Sequence, residues 1–389
     1  MALGLDRPVR ILDRHVLTET ATAGSAATGA FVFIMVAGNV LKDVIGAVAT
    51  GRVSGGQGLE MIGLLFPGVI PYALPLGMLT GVLLAFGRMS SQHELTAMKA
   101  SGRSLARIAR PALIFAGALV LFSAWLNLEL APIANTEFRR LLVGSAKDNP
   151  SSIIVPGQLN RQFPGVIIRA GGREDEILKD FWLWRLDGRG QVVQTIHAQE
   201  ARIVRAVNPA GVAVLRVNLT DARMESRPPG DTAFSQPASF ASAKASSLEF
   251  PATSIFKENG PVERKLRWLT TAELWDAMDT GWQVPPEAKA DEITLRKMMV
   301  RTQFMSHLAG ACSIFSLCLL AVPLAVRVGR SETFVNAAVA LGVALSYYML
   351  TSAAAWVKDP AYHPDLLIWL PNIIVISTAL WLLKRAGRH

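Results

Sequence analysis

The sequence predicts an α-helical integral membrane protein with six transmembrane helices and an inserted extracytoplasmic antiparallel β domain. The 389 residues are 51% hydrophobic and only 18% charged, whereas charged residues make up about 25% of a typical soluble domain. Six segments are long and apolar enough to cross a hydrocarbon core. Between the third and the fourth of them, the pattern changes to the alternation that is typical of strands.

The six predicted spans define the helical part of the fold. A span needs about 20 mainly apolar residues, because the hydrocarbon core is about 30 Å thick. The first span is the least apolar, since "TETATAGSAATGA" precedes "FVFIMVAGNVL". Its small residues allow helix backbones to approach closely, which predicts a tight helix contact. The qualifying segments have the bounds 16–41, 59–86, 105–130, 304–326, 334–357 and 366–383.

The N-terminus also contains a basic region of the kind that begins a signal peptide. It consists of Arg7, Arg10 and Arg14. The segment that follows is long, however, and no short apolar core precedes a clean cleavage site. We therefore expect an uncleaved first span.

Lysine and arginine are distributed unequally between the two sets of short loops. Only Lys42, Arg52 and Lys358 lie in the loops opposite the termini. Because basic residues are enriched in cytoplasmic loops, we expect both termini in the cytoplasm and the long insert outside it. The basic residues on the side of the termini are Arg7, Arg10, Arg14, Arg88, Lys99, Arg103, Arg107, Arg110, Arg327, Arg330, Lys384, Arg385 and Arg388.

The insert at 132–300 separates the helical segments 1–131 and 301–389. Stretches such as "DFWLWRL" and "GVAVLRVNLTDARMES" alternate or are rich in β-branched residues, and "LDGRGQ" and "RPPGD" are turn signals between them. Several short strands at this spacing predict an antiparallel sandwich or a jelly roll. After them, "LTTAELWDAM" predicts a helix that is capped by Thr270 or Thr271 ahead of Glu273.

The polar segment at 87–104, "GRMSSQHELTAMKASGRS", is longer than the connection of about 2–8 residues that joins packed helices. It predicts a short helix of its own at about 89–102. Ser90 or Ser91 can cap this helix, and Glu94 lies in its first turn, where the helix dipole favours negative charge. Gly102 is expected to end it.

This short helix has a narrow apolar face that contains Leu95 and Met98. It could lie on lipid, but a face of two or three residues fits a groove on a soluble partner better. The sequence therefore predicts a contact site for a cytoplasmic protein, and Glu94 is its clearest polar candidate.

Neither a catalytic site nor a metal or cofactor site is predicted. There is no G-x-x-x-x-G-K-[ST] loop and no G-x-S-x-G elbow. The six histidines have no metal-ligand spacing, and Cys312 and Cys318 match no zinc or redox pattern. The net charge of +9 comes largely from residues at the ends of apolar segments. This placement favours contact with anionic lipid rather than nucleic acid.

The motif "E-L-x-x-M-x-x-x-G" between spans two and three resembles the coupling helix of the lipopolysaccharide-export permease family (LptF/LptG). The family also has a β-jelly-roll domain between spans three and four. "VPLAVRVGRSE" and "LLIWLPNIIVISTALWLL" resemble its later segments, and "KDNPSSIIVPGQLNR" is slightly closer to the F-type member. The similarity is sharpest at Glu94, Met98, Gly102, Pro323, Leu324, Arg330 and Pro371.

The resemblance implies a non-catalytic subunit of an ATP-driven transporter in the inner membrane of a Gram-negative bacterium. Its implied partners are a cytoplasmic ABC ATPase dimer, a homologous second permease, a membrane-anchored periplasmic β-jelly-roll bridge protein and lipopolysaccharide itself. The ATPase would contact the coupling helix, at Glu94, Leu95, Met98 and Gly102. Lipopolysaccharide would be extracted from the outer leaflet and passed to the bridge.

Three basic residues are candidates for contact with the lipopolysaccharide phosphates. Lys42 matches the basic end of span one that faces the cavity in the family, although snorkelling or pairing with Asp43 explains it equally well. Arg52 and Arg301 are weaker candidates, because interfacial charge is the simpler interpretation of both. The family often has an arginine followed by a proline-bearing turn at the entry to span four. Here "VRTQFMSHLAG" has Arg301 but no proline.

Two other functions remain as alternatives. The chain could be a mechanotransmitting ABC subunit that drives an extracytoplasmic partner without moving a substrate, since such proteins also have coupling helices and large external domains. It could also be a membrane-embedded lipid enzyme, but that would require a cluster of acid, base and nucleophile that the sequence does not suggest.

Overall fold

The computed structural model contains two compact units. We call them the helical unit, at residues 1–41, 63–137 and 264–389, and the sheet unit, at 42–62 and 138–263. The structure describes residues 6–39, 44–46, 48, 53–148, 151, 154–161, 165–174, 176–208, 213–227, 237–251, 265–285, 289–328, 333–357 and 359–386.

Among the described residues, six helices are long and apolar enough to cross a membrane. Together with the inserted antiparallel sheet, they confirm the predicted fold class. The helices are α1 (Asp6–Asn39), α2 (Gly55–Ser91), α3 (Glu94–Ala100), α4 (Leu105–Trp125), α5 (Ala131–Asp148), α6 (Thr271–Thr280), α7 (Ala290–Val328), α8 (Thr333–Trp356), α9 (Pro364–Leu367) and α10 (Leu370–Ala386). The candidate spans are Ile11–Gly38, Gly55–Ser91, Leu105–Leu141, Ala290–Arg327, Ala338–Trp356 and Pro364–Arg385.

The fourth span belongs to a helix that begins earlier than the sequence predicts. α7 starts at Ala290 rather than near residue 304. Asp291 and Glu292 lie in its first turn, where they complement the helix dipole. The helix contains no proline before Pro323, so the polar segment after the insert continues into the span without a break.

The third span also continues beyond its predicted end. α4 passes through a π-helical turn at Leu126–Leu130 and then into α5. Such turns interrupt the regular helical hydrogen bonding and are frequent at functional sites. Asn127 in this turn is buried.

The small residues of α1 lie at a close contact with α2, as the sequence predicts. A Cβ atom added at Gly81 would be 2.4 Å from the Cα atom of Gly24. A Cβ atom added at Gly77 would be 2.6 Å from the Cα atom of Thr28. Gly77 and Gly81 have the G-x-x-x-G spacing that allows helix backbones to touch. The absence of side chains therefore sets the distance between α1 and α2.

The main hydrophobic core of the helical unit is formed by residues from several helices. Leu83 and Phe86 of α2 are fully buried in it, together with Ala112 of α4, Leu317 of α7 and Ala379 of α10. The alanines bring helices close together, and the larger side chains fill the remaining space.

Asn372 joins three of these helices through buried hydrogen bonds. Its Nδ2 donates to the carbonyl of Ala309 on α7 at 2.8 Å. Its Oδ1 accepts from the hydroxyl of Ser316 on α7 at 2.7 Å and from that of Tyr347 on α8 at 3.3 Å. Asn372 itself lies on α10 and is 2% exposed. All the polar atoms of its side-chain amide therefore have partners inside the unit.

Replacing Asn372 by leucine should destabilise the helical unit by about 1–2 kcal/mol, because interhelical hydrogen bonds in membranes contribute up to about this much. The change also leaves the hydroxyls of Ser316 and Tyr347 without this acceptor. The thermal unfolding midpoint of the purified protein measures the effect. Tyr347→Phe removes only one bond of the network and should cost less. An equal midpoint for Asn372→Leu and the unchanged protein would contradict the prediction.

The sheet unit contains a five-stranded antiparallel sheet in the order β1-β2-β3-β4-β5. This sequential order makes the sheet a meander with β1 and β5 at its edges. One face is buried, and Ile168, Leu183 and Ile196 on it are fully shielded from solvent. The strands are β1 (Val166–Glu174), β2 (Ile177–Leu186), β3 (Val192–Val207), β4 (Ala213–Ser226) and β5 (Ser239–Pro251).

The predicted capped helix after the strands is present as α6. The carboxylate of Glu273 accepts hydrogen bonds from the backbone N–H of Thr270 at 2.8 Å and from its hydroxyl at 3.0 Å. Leu274 of α6 packs with Val300 of α7 in a small hydrophobic cluster. Residues 264–300, which the sequence assigns to the insert, therefore group with the helical unit.

Candidate functional site

The first candidate site is the short helix α3 between α2 and α4. α3 spans Glu94–Ala100, and it begins later than expected. Ser90 and Ser91 do not cap it, because α2 continues through Ser91. The break is at His93, which has a left-handed backbone with φ 61°. Gly102 follows the helix at φ +84°, a conformation that glycine adopts without strain.

The apolar face of α3 packs against the chain itself. Leu95 is 3% exposed and Met98 is 6% exposed, and both belong to the main core of the helical unit. The sequence predicts this face as the surface that contacts a partner. In the structure, the accessible surface of α3 consists instead of the opposite face, with Thr96, Ala97 and Ala100 exposed and Glu94 partly exposed.

Three ion pairs connect α1 to the segment around α3. Nε2 of His15 lies 3.3 Å from Oε2 of Glu94, and Oδ1 of Asp13 lies 3.8 Å from Nη1 of Arg103. Glu19 and Arg88 form the third pair. Pairs at such exposed positions contribute about 0–1 kcal/mol each. They position α3 beside α1 without adding much to the overall stability.

Of the three predicted phosphate contacts, Arg301 lies in the described part of the chain. Lys42 and Arg52 lie outside the described residues, as does Arg330. Arg301 lies on α7 and is exposed. The assignment of these side chains to lipopolysaccharide stays a prediction.

The second candidate site is a cavity inside the helical unit that has several polar side chains in its lining and a volume of about 110 Å³. Its lining includes Tyr72 of α2, Asn127 of the π turn, Gln303 and His307 of α7 and Tyr348 of α8. The hydroxyl of Tyr348 donates to the carbonyl of Tyr72 at 3.3 Å. Nε2 of His307 lies 3.1 Å from Nε2 of Gln303, so the amide can donate to the neutral imidazole. The cavity therefore presents both hydrogen-bond donors and acceptors.

This cavity lies far from α3 along the helices. Tyr72 and His307 are each about 20 residues from the ends of their helices at Ser91 and Val328, which corresponds to about 30 Å at 1.5 Å per residue. A spanning helix has about this length within the hydrocarbon core. The cavity and α3 are thus separated along these helices by about the thickness of a hydrocarbon core.

The sequence contains only an indirect signal for this cavity. Polar and ionisable residues within a span are functional candidates by default, and His307 and Gln303 meet that criterion. Pro71 and Pro75 also lie inside α2 and line the cavity, and each removes one backbone donor from the helix. What the sequence cannot indicate is that residues from five separate segments converge on one space, since Ile368 lines it as well.

The exposed face of the sheet carries an aromatic and charged cluster. Trp182 stacks on His197 with ring centroids 4.1 Å apart and on Trp184 at 5.9 Å. Asp180 accepts hydrogen bonds from the imidazole of His197 and from the indole of Trp182, each at 2.9 Å. The bond with His197, followed by that with Trp182, lowers the pKa of the Asp180 carboxyl. These contacts hold a carboxylate and two aromatic rings in a fixed arrangement.

No group of three or more metal-ligating side chains exists among the described residues. Cys312 and Cys318 are both free and lie on α7.

Comparisons with known proteins agree with the architecture. The chain is 25% identical over 156 residues to the lipopolysaccharide export system permease protein LptF of Escherichia coli K12 and to that of Shigella flexneri. The match covers 40% of this chain and 42% of the length of those relatives. The profile of the family described as lipopolysaccharide export system permease LptF/LptG matches residues 14–385. With nearly its whole length included in this match, the chain belongs to the LptF/LptG family.

Proposed function

We propose that the chain is a permease subunit that exports lipopolysaccharide from the inner membrane of a Gram-negative bacterium. The observation that carries this proposal is the family match over residues 14–385, which includes all six candidate spans except the first few residues of α1. The excess of basic residues on the side of α3 supports an orientation with both termini and α3 in the cytoplasm. The sheet unit would then be periplasmic.

Energy for transport would come from ATP hydrolysis in a separate cytoplasmic ABC ATPase dimer. α3 has an exposed face for such a partner, at Glu94, Thr96, Ala97 and Ala100. Because Leu95 and Met98 fix α3 to the main core, a displacement of α3 would be passed directly to α2, α4 and α7. The ion pairs of His15 and Arg103 would pass it to α1 as well.

Lipopolysaccharide would enter from the outer leaflet into a space shared with a homologous second permease. Lys42, Arg52 and Arg301 are proposed to attract its phosphates, since arginine and lysine are the usual protein partners of phosphate. The sheet unit would pass the lipid to a membrane-anchored bridge protein with its own β-jelly roll. Because Asn160 pairs with Ile168 at the outer edge of β1, the opposite edge strand of the meander, β5, is the proposed place for strand addition by such a partner.

The test is to tag this chain, extract it gently from its native membrane and identify the components that copurify. We expect an ABC ATPase, a homologous permease and bound lipopolysaccharide. The same preparation from cells with the untagged chain is the control. An ATPase that copurifies with an external hydrolase and without glycolipid would overturn the proposal in favour of a mechanotransmitting subunit.

A further inference from the structure

We propose that a groove between α1 and α4, on the membrane side of α3, binds the headgroup of an anionic phospholipid. The groove has a volume of about 530 Å³. Three arginines line it, Arg14 of α1 and Arg107 and Arg110 of α4. Leu17 of α1 and Ile114 of α4 add apolar surface to the same groove. This inference goes beyond the proposed function and depends on it only for which leaflet supplies the lipid.

The charge of the groove favours an anion. Asp13 is the carboxylate in its lining, and its side chain faces Arg103 at 3.8 Å. Among the residues that the structure describes, the guanidinium groups of Arg14, Arg107 and Arg110 have no acidic partner. Three positive charges thus surround a groove with one carboxylate that is already paired.

The position of Arg107 in the first turn of α4 strengthens this preference. The helix begins at Leu105 and has no acidic residue in its first turn. The N-terminal end of a helix carries a partial positive charge, so Arg107 in the first turn is unfavourably placed in the isolated helix. Arg110 lies three residues further along. A phosphate between them would be stabilised by the guanidinium groups, which can bind it through two parallel hydrogen bonds.

The apolar wall favours a lipid over a free anion. The exposed fraction is 62% for Ile114 and 38% for Leu17. Arg110 and Ile114 are about one turn apart on α4. The apolar surface therefore begins about 6 Å along the helix from the charged surface. A phospholipid has the same order, a phosphate followed by acyl chains. Basic pockets between helices at the cytoplasmic membrane surface are known to bind such headgroups.

The occupied groove would also support the segment around α3. Arg14 is next to Asp13 and His15, which pair with Arg103 and Glu94. A bound phosphate would reduce repulsion among Arg14, Arg107 and Arg110 and would connect α1 to α4. We therefore expect lipid binding to raise the thermal stability of the helical unit.

The experiment uses the purified protein, with any subunits that copurify with it, in a neutral detergent. Phosphatidylglycerol or phosphatidylcholine is added in mixed micelles, and binding is followed by native mass spectrometry and by the unfolding midpoint. Phosphatidylglycerol should bind and raise the midpoint, whereas phosphatidylcholine should not. Arg107→Gln/Arg110→Gln should weaken binding by about fivefold for each arginine removed. Lys384→Gln/Arg385→Gln is the matched control, since it removes two charges from the last turn of α10, and its binding should be unchanged.

Equal binding of phosphatidylglycerol by the Arg107/Arg110 double variant and the unchanged protein would overturn the proposal. The proposal would also be overturned if phosphatidylcholine bound as well as phosphatidylglycerol. It would be overturned too if inorganic phosphate alone raised the unfolding midpoint as much as phosphatidylglycerol does. If the double variant does not fold, Arg110→Gln alone makes the same test with an expected loss of about fivefold. If the purified protein carries no lipopolysaccharide but still binds phosphatidylglycerol, the proposed function is contradicted and this inference stands.

Discussion

Replacing Gly81 by alanine should destabilise the protein by about 3 kcal/mol, the upper part of the range for overpacking a tight contact. The added Cβ atom would be 2.4 Å from the Cα atom of Gly24, and that atom belongs to a backbone rather than to a flexible side chain. α1 and α2 would have to separate, and contacts along their whole interface would be lost. Gly81→Leu adds three further carbon atoms at the same place and should leave little folded protein.

The matched control is Gly117→Ala on α4. A Cβ atom added at Gly117 meets nothing within 4 Å, so this variant should be neutral or gain up to about 1 kcal/mol from the better helix propensity of alanine. The unfolding midpoints of both variants in the same detergent measure the difference. Equal midpoints for Gly81→Ala and Gly117→Ala would show that the α1–α2 contact is not close-packed.

The overall architecture could be predicted because it follows from local sequence patterns. Six apolar stretches and one alternating insert are visible without tertiary information, and small residues in the first span indicate its close contact. The residues at which helices begin and end were harder to predict from the sequence. Ser90 and Ser91 are good capping residues, but α2 continues through Ser91, and the break before α3 lies at His93. Local propensity was outweighed there by the burial of Met89, which is 1% exposed in the main core.

The candidate sites depended more on tertiary structure. The spacing of Leu95 and Met98 correctly indicates an apolar face, but spacing cannot tell whether a partner or the chain itself covers that face. The pairing of His15 with Glu94 joins residues 79 positions apart, and no pattern in either segment points to the other. The same holds for the cavity near His307, which residues from five segments form together.

Reversing the charge of Glu94 should uncouple ATP hydrolysis from lipopolysaccharide movement while the protein stays folded. Glu94→Lys breaks only a partly exposed pair with His15, which contributes about 0–1 kcal/mol to stability. At the ATPase contact that we propose, the same change would place a lysine where a carboxylate is expected. Transport should then fall by about tenfold or more, because disrupting one interfacial charge contact costs about 2–5 kcal/mol. Lipopolysaccharide release and ATP turnover, measured together in proteoliposomes of the whole complex, test this.

His15→Ala separates the two roles that Glu94 has in this proposal. This variant removes the same ion pair but leaves the carboxylate of Glu94 available to the ATPase. If the carboxylate acts at that interface, His15→Ala should transport nearly normally and only Glu94→Lys should be uncoupled. If the two variants lose transport equally, the function of Glu94 is to hold α1 beside α3, and the ATPase contact must be assigned to Thr96, Ala97 and Ala100 on the exposed face. Normal transport by Glu94→Lys would exclude both roles, because neither the ion pair nor the carboxylate would then be needed for α3 to transmit force.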